Sequence, residues 1–391
     1  MSTKLKQIIN IEDQSEVKLY PKRGIALKKS KGVYVFDTNG KKYLDFMTNL
    51  GVNILGYSNP KIIEAISKQI AMLPSTHQTF YSEARANFLK ELKSILPLSL
   101  NKVIFTNSGA ESVEAALKLA IAATGKSKFI AASNSYHGRT LGSLSVTGQQ
   151  KYREPFLPML GNVTHIQFND LKALNKSLSK DIAAVILEPI QGEAGIILPD
   201  KNYLKEVKTM CKSYGVLLIL DEIQTAIRTG SWLVCNQYDV APDILCLSKS
   251  LSYGIPFGLI VTTAEVGNLM PQSGHGSTFA GNPLACMAAT QVIKQIKKQK
   301  LLKNAAQMGN YFLEQLNKLN HHAISAVKGS GLMVGLEIKE NTTPYLKKMQ
   351  DMGLIAASSN SDTIRFLPPI TVSKKEIDQA LIIIKEVFPN V

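Results

Sequence analysis

Short apolar runs alternate with amphipathic segments through the middle of the chain, and this pattern predicts strands and helices that follow one another in an α/β sheet. The runs at 182–187 and 216–220 lack polar alternation, as expected of parallel strands that are covered on both faces. Helical periodicity fills the intervening segments, for example 111–123 and 202–213. The predicted strands are 102–106, 128–132, 182–187, 216–220, 244–247 and 258–262.

The two ends of the chain show a different pattern of predicted elements. Residues 25–45 predict a hairpin that turns at Asn39-Gly40, and residues 60–73 predict a helix that begins at a proline. Beyond residue 285 the pattern changes to that of a smaller α+β unit. Its predicted elements are a long helical stretch at 284–320, strands at 332–338 and 363–367, and a last helix at 374–387.

The length of 391 residues suggests two domains, or one large α/β domain with an appendage. We predict a large α/β domain over 50–285 and a small α+β domain over 286–391, which the N-terminal segment 1–49 joins. The hydrophobic fraction of 45% and charged fraction of 19% are those of a globular chain. No stretch approaches the ~18 apolar residues of a spanning helix, and the acidic N-terminus lacks the apolar core of a signal peptide. We therefore expect a soluble, cytoplasmic protein with no membrane partner.

The net charge of +15 favours acidic partners. We do not expect a nucleic-acid partner, because the lysine runs at 28–31 and 294–303 are not interleaved with aromatic residues. The second run predicts the solvated face of a helix whose Ile293, Ile296 and Leu301 point inward. The four cysteines have no metal-ligand spacing, so we expect buried thiols and no metal site.

Polar residues that can carry chemistry follow three of the predicted strands. Asp221 lies at the end of strand 216–220, where parallel sheets build their sites, although a helix cap would also explain it. Lys249 follows strand 244–247, and a buried lysine with a lowered pKa is a nucleophile, whereas a surface lysine is the simpler alternative. Residues 105–111 lead from a strand into a helix whose first turn can bind an anion.

A phosphate site, an acid and a lysine at neighbouring strand ends together indicate a phosphorylated aldehyde cofactor. The lysine would form the Schiff base, and the aspartate would pair with a pyridinium nitrogen.

Motifs along nearly the whole chain carry a family resemblance. The motifs are YLDFMTNLGVNILGYSNP (43–60), FTNSGAESVEAALKLA (105–120), SYHGRTLGSLSVTG (135–148), LEPIQGEAGI (187–196), LDEIQT (220–225), LSKS (247–250), HGSTFAGNPLA (275–285) and IRFLPPI (364–370). With these motifs in this order, the chain resembles the pyridoxal-phosphate-dependent class III aminotransferases of fold type I, in the acetylornithine/ornithine aminotransferase group. The fold so implied has a mostly parallel central sheet covered by helices and a smaller α+β domain.

The resemblance implies pyridoxal 5'-phosphate as the cofactor, bound by the large domain. Lys249 would hold it covalently and later carry a proton, and Asp221 would keep its pyridine nitrogen protonated. Gln224 would hydrogen-bond the ring oxygen O3′.

The resemblance also implies which residues contact the phosphate and the ring of the cofactor. The phosphate would lie at Ser108, Gly109 and Ala110, and the partner's copy of Thr278 would reach it, which implies a homodimer with shared active sites. Tyr136 would stack on the ring.

Substrate carboxylates would be bound by Arg139 and Arg365, although an internal salt bridge is the alternative for each. The resemblance itself implies such a salt bridge for Arg365. Glu193 would pair with Arg365 in one half-reaction and release it to glutamate in the other, and Glu188 would support the pocket.

The chain departs from the family pattern in three places. The segment 224–230 reads QTAIRTG, one residue shorter than the usual QTGxGRTG. Tyr57 replaces a usual histidine, and Asn49-Leu50-Gly51 replaces a Gly-Ile-Ala-like run. These changes leave the cofactor chemistry intact and leave the acceptor substrate open.

The leading functional hypothesis is an aminotransferase that works between glutamate/2-oxoglutarate and the ω-amine or semialdehyde of an N-modified amino acid. The substrate would be acetylornithine-like, or a lysine or ornithine precursor on a small acidic amino-group carrier protein, in arginine or lysine biosynthesis. The positive charge favours the carrier slightly. The alternatives are a 4-aminobutyrate-type ω-aminotransferase, a semialdehyde aminomutase, a decarboxylase, or an inactive basic binding protein on the same fold.

Overall fold

The computed structural model describes residues 2–159 and 161–389. Its strands form three sheets: a seven-stranded sheet and two four-stranded sheets. The strands are β1 (Leu27–Lys31), β2 (Tyr34–Asp37), β3 (Lys42–Asp45), β4 (Lys102–Thr106), β5 (Lys128–Ala132), β6 (Asn162–Ile166), β7 (Ile182–Leu187), β8 (Leu217–Asp221), β9 (Ile244–Leu247), β10 (Gly258–Thr262), β11 (Ile324–Ser330), β12 (Met333–Ile338), β13 (Leu354–Ile355), β14 (Ala357–Ser359) and β15 (Thr363–Phe366).

Helices connect and cover the sheets. They are α1 (Thr3–Ser15), α2 (Thr48–Gly51), α3 (Pro60–Met72), α4 (Glu83–Lys93), α5 (Gly109–Thr124), α6 (Leu141–Val146), α7 (Gln150–Arg153), α8 (Leu171–Ser177), α9 (Tyr203–Tyr214), α10 (Val234–Gln237), α11 (Ala264–Gly267), α12 (Pro283–Lys298), α13 (Leu301–Asn317), α14 (Thr343–Asp351) and α15 (Lys374–Val387). Within the described residues, no helix combines the length and the apolar character needed to cross a membrane.

The seven-stranded sheet has the order β4-β10-β9-β8-β7-β5-β6, and β10 alone runs antiparallel to its neighbours. All six predicted strands are present, and β8 lies one residue later than expected. Alternate residues of β8 enter different apolar clusters, with Leu218 and Leu220 in one and Ile219 in the other. Both faces of the sheet are therefore covered, as the unbroken apolar runs predicted.

The edge strand β6 was missed. Its sequence, NVTHI, is partly polar, and its burial alternates with exposure because only one neighbour pairs with it. An edge strand of this kind carries too weak an apolar signal to predict.

The helical stretch predicted over 284–320 consists of two helices, α12 and α13. Helix α12 ends at Lys298, and Lys300 has a left-handed backbone with φ of 53° before α13 begins. The polar run between them has no apolar position to bury. Ile293, Ile296 and Leu301 on either side are buried, as predicted.

The N-terminal strands form a sheet that a C-terminal strand completes. Strands β1, β2 and β3 are antiparallel, with the predicted turn at Asn39-Gly40 between β2 and β3, and β13 pairs in parallel with β3. The other small sheet has the order β11-β12-β15-β14. The domain limits stay a prediction, and their outer ends, residues 1 and 391, lie outside the described residues. The four cysteines are buried and unpaired, as predicted.

Three phenylalanines join the ends of the chain. The ring of Phe312 in α13 lies edge-on to Phe46, 5.8 Å away between centroids, and to Phe366, 5.4 Å away. All three side chains are fully buried. The core thus ties the residue after β3 to β15, the strand that carries Arg365.

We expect Phe312→Ala to lower the free energy of unfolding by about 3–5 kcal/mol, because it leaves a cavity and removes two edge-to-face ring contacts. Urea denaturation of the apoprotein measures this change. Ile382→Ala, at an exposed position of α15, is the matched control and should change the stability by less than about 0.5 kcal/mol. Equal losses in the two variants would contradict the packing role.

Candidate active site

Most of the predicted site residues gather at the carboxyl edge of the seven-stranded sheet. Strands β4, β5, β7, β8 and β9 each end there, and the residues that follow them line a pocket of about 290 Å³. This is where parallel sheets place their sites. The predicted residues in the lining are Gly109, Ala110, Tyr136, Arg139, Glu188, Glu193, Asp221, Gln224 and Lys249.

Asp221 ends β8 and is 97% buried, with a relative exposure of 3%. Its Oδ2 lies 2.7 Å from Nδ1 of His137, and its Oδ1 accepts the backbone N–H of Ile223 at 3.1 Å. No helix begins after it, since the chain continues in turns as far as α10, so the helix-cap alternative is wrong. The carboxylate instead belongs to a buried pair with His137.

Sequence reasoning missed His137. The available signal was its position in SYHGRT, directly after Tyr136. The ring is buried, its Nδ1 is used by Asp221, and within the described structure Nε2 has no hydrogen-bond partner. The backbone N–H of His137 donates to Oγ1 of Thr147 at 3.0 Å, which fixes the loop that carries the ring.

Lys249 begins a short 3-10 turn directly after β9, with a left-handed φ of 36°. Its Nζ donates a hydrogen bond to Oε1 of Gln224. Burial lowers the pKa of Lys249 to about 8, although the carboxylates of Glu193 and Asp221 act in the opposite direction. Near neutral pH a useful fraction of this lysine is therefore an unprotonated amine, which is the nucleophilic form.

The anion-binding end of α5 is shaped by small residues. Ser108 caps the helix, and its Oγ accepts the N–H of Glu111 at 3.2 Å. A side chain at Gly138, whose φ is 131°, would come within 2.8 Å of the Cβ of Ala110. Glycine at this position lets the loop of His137 approach the first turn of α5, whose N–H groups have no acceptor within the helix.

Glu193 and Arg365 form a salt bridge of 2.6 Å beside the pocket. Arg365 lies in β15 and is almost fully buried, and its Nε and Nη1 have no partner within the described structure. Burial raises the pKa of Glu193, but the charges of Arg365 and Lys249 and the hydrogen bond from Arg365 outweigh it. The net pKa of Glu193 lies below its ordinary value.

Glu188, which follows β7, supports the pocket wall. Its two carboxylate oxygens accept the N–H groups of Tyr136, at 2.9 Å, and Gly192, at 3.0 Å. Burial raises its pKa to about 7, against the lowering effect of His137 and of these two bonds.

Arg139 has no ion pair in the described part of the chain, so the internal salt bridge suggested for it is absent there. Its guanidinium lies over the ring of Tyr152 at 4.5 Å, of Tyr20 at 5.4 Å and of Tyr136 at 6.0 Å. Tyr20 also lines the pocket, and sequence reasoning missed it because it lies in a segment without periodic structure. Arg139 is thus a held but unneutralised cation at the pocket mouth.

The three departures from the family pattern lie around one segment, the short helix α2 (Thr48–Gly51). Gly51, at the end of α2, packs so closely that a side chain there would approach Nε2 of Gln224 to 2.8 Å and Nη2 of Arg228 to 3.0 Å. Tyr57 donates to Oδ2 of Asp45 at 2.5 Å, and the other oxygen of Asp45 accepts two N–H groups at the start of the same segment.

The pocket fits pyridoxal phosphate. An amine (Lys249), a buried carboxylate (Asp221) and a helix N-terminus match the aldehyde, the pyridine nitrogen and the phosphate. Nε2 of Gln224 is buried without an acceptor within the described structure, so it can donate to a ring oxygen. Thr278 is exposed and does not line this pocket.

Residues 18–388 match the family described as aminotransferase class-III. The chain is 40% identical to an acetylornithine aminotransferase of Methanosarcina acetivorans over 381 residues, which are 97% of this chain and 95% of the relative. It is 38% identical to a LysW-aminoadipate semialdehyde transaminase of Deinococcus radiodurans, over 95% of this chain and 88% of the relative.

Solved structures agree with these matches. The ornithine aminotransferase of Toxoplasma gondii superposes with a TM-score of 0.94 at 30% identity, over 98% of this chain and 94% of that one. The acetylornithine aminotransferase of Elizabethkingia anophelis gives a TM-score of 0.87 at 32% identity, over 98% of both chains. With its motifs, its pocket and these matches in agreement, the chain belongs to the class III aminotransferases, which are fold type I, pyridoxal-phosphate-dependent transferases.

Proposed function

We propose that this enzyme transfers an amino group between glutamate/2-oxoglutarate and the ω-amine or semialdehyde of an N-modified amino acid, in arginine or lysine biosynthesis. The observation that carries the proposal is the salt bridge between the buried Arg365 and the partly exposed Glu193 beside Lys249. The acetylornithine and LysW-aminoadipate relatives support this substrate class. The four unpaired, buried thiols suit a reducing compartment, which supports action in the cytoplasm.

Six residues would hold the cofactor in addition to Lys249. Its phosphate would lie at the start of α5, its pyridine nitrogen at Asp221, its ring oxygen at Gln224 and its ring against Tyr136. When bound, pyridoxal phosphate supplies an electron sink for the carbanion that forms at the reacting carbon. The six residues are Ser108, Gly109, Ala110, Tyr136, Asp221 and Gln224.

Lys249 has two tasks in this scheme. Its amine attaches the cofactor between turnovers and moves a proton at the reacting carbon during turnover. A pKa of about 8 suits both, because a general base works best when its pKa is near the working pH. His137 acts as a positioning residue, since it holds the carboxylate of Asp221 in one place.

The paired residues Glu193 and Arg365 resolve a conflict between two substrates. Glutamate brings a carboxylate beside its reacting amine, whereas an ω-amine brings none. A buried guanidinium without a partner is costly, so Arg365 needs an anion in both half-reactions. Glu193 supplies it when the ω-amine is bound, and its partial exposure allows it to leave when glutamate arrives.

Arg139 would bind the carboxylate at the far end of the ω-amino substrate. The three surrounding tyrosine rings hold its guanidinium without neutralising it, so its donors stay available.

The working unit is proposed to be a homodimer with shared sites. The support is a set of large apolar side chains that remain exposed, namely Met72, Leu73, Phe80, Tyr81 and Phe279, the last of which follows Thr278 in the chain. Sedimentation velocity should give twice the chain mass of 42.8 kDa. A monomer in the presence of cofactor would contradict this part.

An assay of several amino donors with 2-oxoglutarate as the acceptor tests the function directly. We expect N-acylated ω-amino acids, such as N²-acetylornithine or an N-blocked lysine, to yield glutamate from 2-oxoglutarate in equimolar amounts with the semialdehyde. The +15 charge favours a precursor bound to an acidic carrier protein, which should then outperform the free amino acid at low salt. Preference for 4-aminobutyrate, or isomerisation of a semialdehyde without 2-oxoglutarate, would support the alternative enzymes.

We expect the rate of covalent cofactor attachment to the apoprotein to rise with pH up to about 8 and then level off, because only the unprotonated amine of Lys249 reacts. Stopped-flow absorbance measures this rate. Lys249→Ala should bind the cofactor without covalent attachment and should not turn over. An inflection above pH 10, as for an ordinary lysine, would contradict the buried environment.

Single-turnover measurements should separate the two half-reactions. Arg365→Ala should slow the glutamate half by about 10²-fold or more, through loss of a buried charge partner, and the ω-amine half much less. Glu193→Ala should speed the glutamate half relative to the ω-amine half. If both variants slow the two halves equally, Glu193 does not act as a switch.

A further inference from the structure

The loop after β8 buries a cation that the proposed mechanism does not use. The side chain of Arg228 has no exposed surface. Its Nη2 donates to the carbonyl of Gly51 at 2.8 Å, and its Nη1 donates to the carbonyl of Pro368 at 3.3 Å. In the described part of the chain it has no ion pair. Its hydrogen bonds are therefore largely satisfied while its charge is not neutralised.

Arg228 shares its surroundings with Arg365. Pro368, whose carbonyl it binds, follows Arg365 by three residues at the end of β15. Burial, and after it the charge of Arg365, lowers the pKa of Arg228 to about 9. The other buried carboxylates of this sheet edge are engaged elsewhere, Asp221 by His137, Glu188 by the N–H of Tyr136 and Glu222 by the N–H of Cys235. Arg228 and Arg365 are therefore two buried guanidiniums, and within the described residues only Arg365 forms an ion pair, with Glu193.

The resulting surplus of positive charge has a consequence for binding. Nε and Nη1 of Arg365 have no acceptor within the described structure while Glu193 is in place. A buried, uncompensated charge raises the free energy of the folded enzyme. A ligand that brings an additional carboxylate to Arg365 offsets this cost, and a ligand without one does not.

We propose that Arg228 is a positioning residue that makes the Arg365 site selective for the dicarboxylate substrates, glutamate and 2-oxoglutarate. It acts through Arg365 and need not touch the substrate. The two carbonyls hold it in place, so its charge is present in both half-reactions, whereas Glu193 can move. The inference rests on the role given to Arg365 in the proposed function.

A bracing role is the simpler alternative, because the same side chain ties α2 to the end of β15. Charge and bracing can be separated by substitution. Arg228→Lys keeps the charge and loses the pair of guanidinium donors that reach the two carbonyls, whereas Arg228→Met loses both the charge and the donors. Arg228→Gln keeps amide donors for a carbonyl without the charge, and it replaces the Met variant if that variant does not fold with cofactor.

Isothermal titration of the holoenzyme with glutarate, a dicarboxylate that cannot react, tests the proposal. We expect Arg228→Met and Arg228→Gln to raise the Kd for glutarate about tenfold or more, and Arg228→Lys to stay within about threefold of the wild type. The loss should be the same at about 0.05 M and about 0.5 M salt, since buried charges are little screened. The N²-acetylornithine half-reaction should change less than glutarate binding does.

Two results would overturn the inference. One is a glutarate Kd in the neutral variants within about threefold of the wild-type value, and the other is an equal loss in the Lys and Met variants, which would indicate bracing alone. Arg365→Ala separates this failure from a failure of the proposed function. If glutarate binding does not depend on Arg365, both fail, and if it depends on Arg365 but not on Arg228, only this inference fails.

Discussion

The buried carboxylate of Asp221 is the constraint on which the site depends. A carboxylate at the end of a fully apolar strand costs several kcal/mol unless it is hydrogen-bonded or paired, and here His137 and the N–H of Ile223 supply the bonds. That requirement fixes the loop after β5 against the end of β8. The parallel order β5-β7-β8-β9 then brings Glu188 and Lys249 to the same edge. The fold therefore determines which charges meet, and the loops determine how each one is compensated.

Compensation of charge also explains how one pocket can serve two kinds of substrate. The inner part of the pocket contains Lys249, whose lowered pKa comes mainly from burial. Beside it lies Arg365, which forms a salt bridge with the carboxylate of Glu193. The mouth contains Arg139, which is stabilised by aromatic rings and not by an acid. A cation held by rings can accept a carboxylate without first losing one. A cation held by a mobile carboxylate can exchange its partner. Arg139 is therefore suited to a substrate carboxylate that is always present, and Arg365 to one that is present in only one half-reaction.

Much of this arrangement could be predicted from the sequence, because the strands of the seven-stranded sheet are unbroken apolar runs and their ends carry Asp221 and Lys249. The edge strand β6 and the break at Lys300 escaped prediction, since neither depends on an apolar pattern. His137 and Tyr20 escaped for another reason. Their importance comes from contacts with residues more than eighty positions away or with a loop, and such contacts have no local signature. The altered segments at 49–51, 57 and 224–230 looked independent in the sequence but lie around one turn, α2, in the fold.

The central claim is that Asp221, held by His137, keeps the pyridine nitrogen of the cofactor protonated and so makes the transfer fast. The most direct measurement is the single-turnover rate of Asp221→Asn with glutamate, at saturating cofactor and with cofactor content confirmed. The asparagine has nearly the same shape but cannot stabilise a proton on that nitrogen. A fall of about a thousandfold or more, equivalent to ~4 kcal/mol of barrier, is the predicted result. A fall of less than about tenfold with the cofactor fully bound would show that the buried pair supports the fold and not the chemistry.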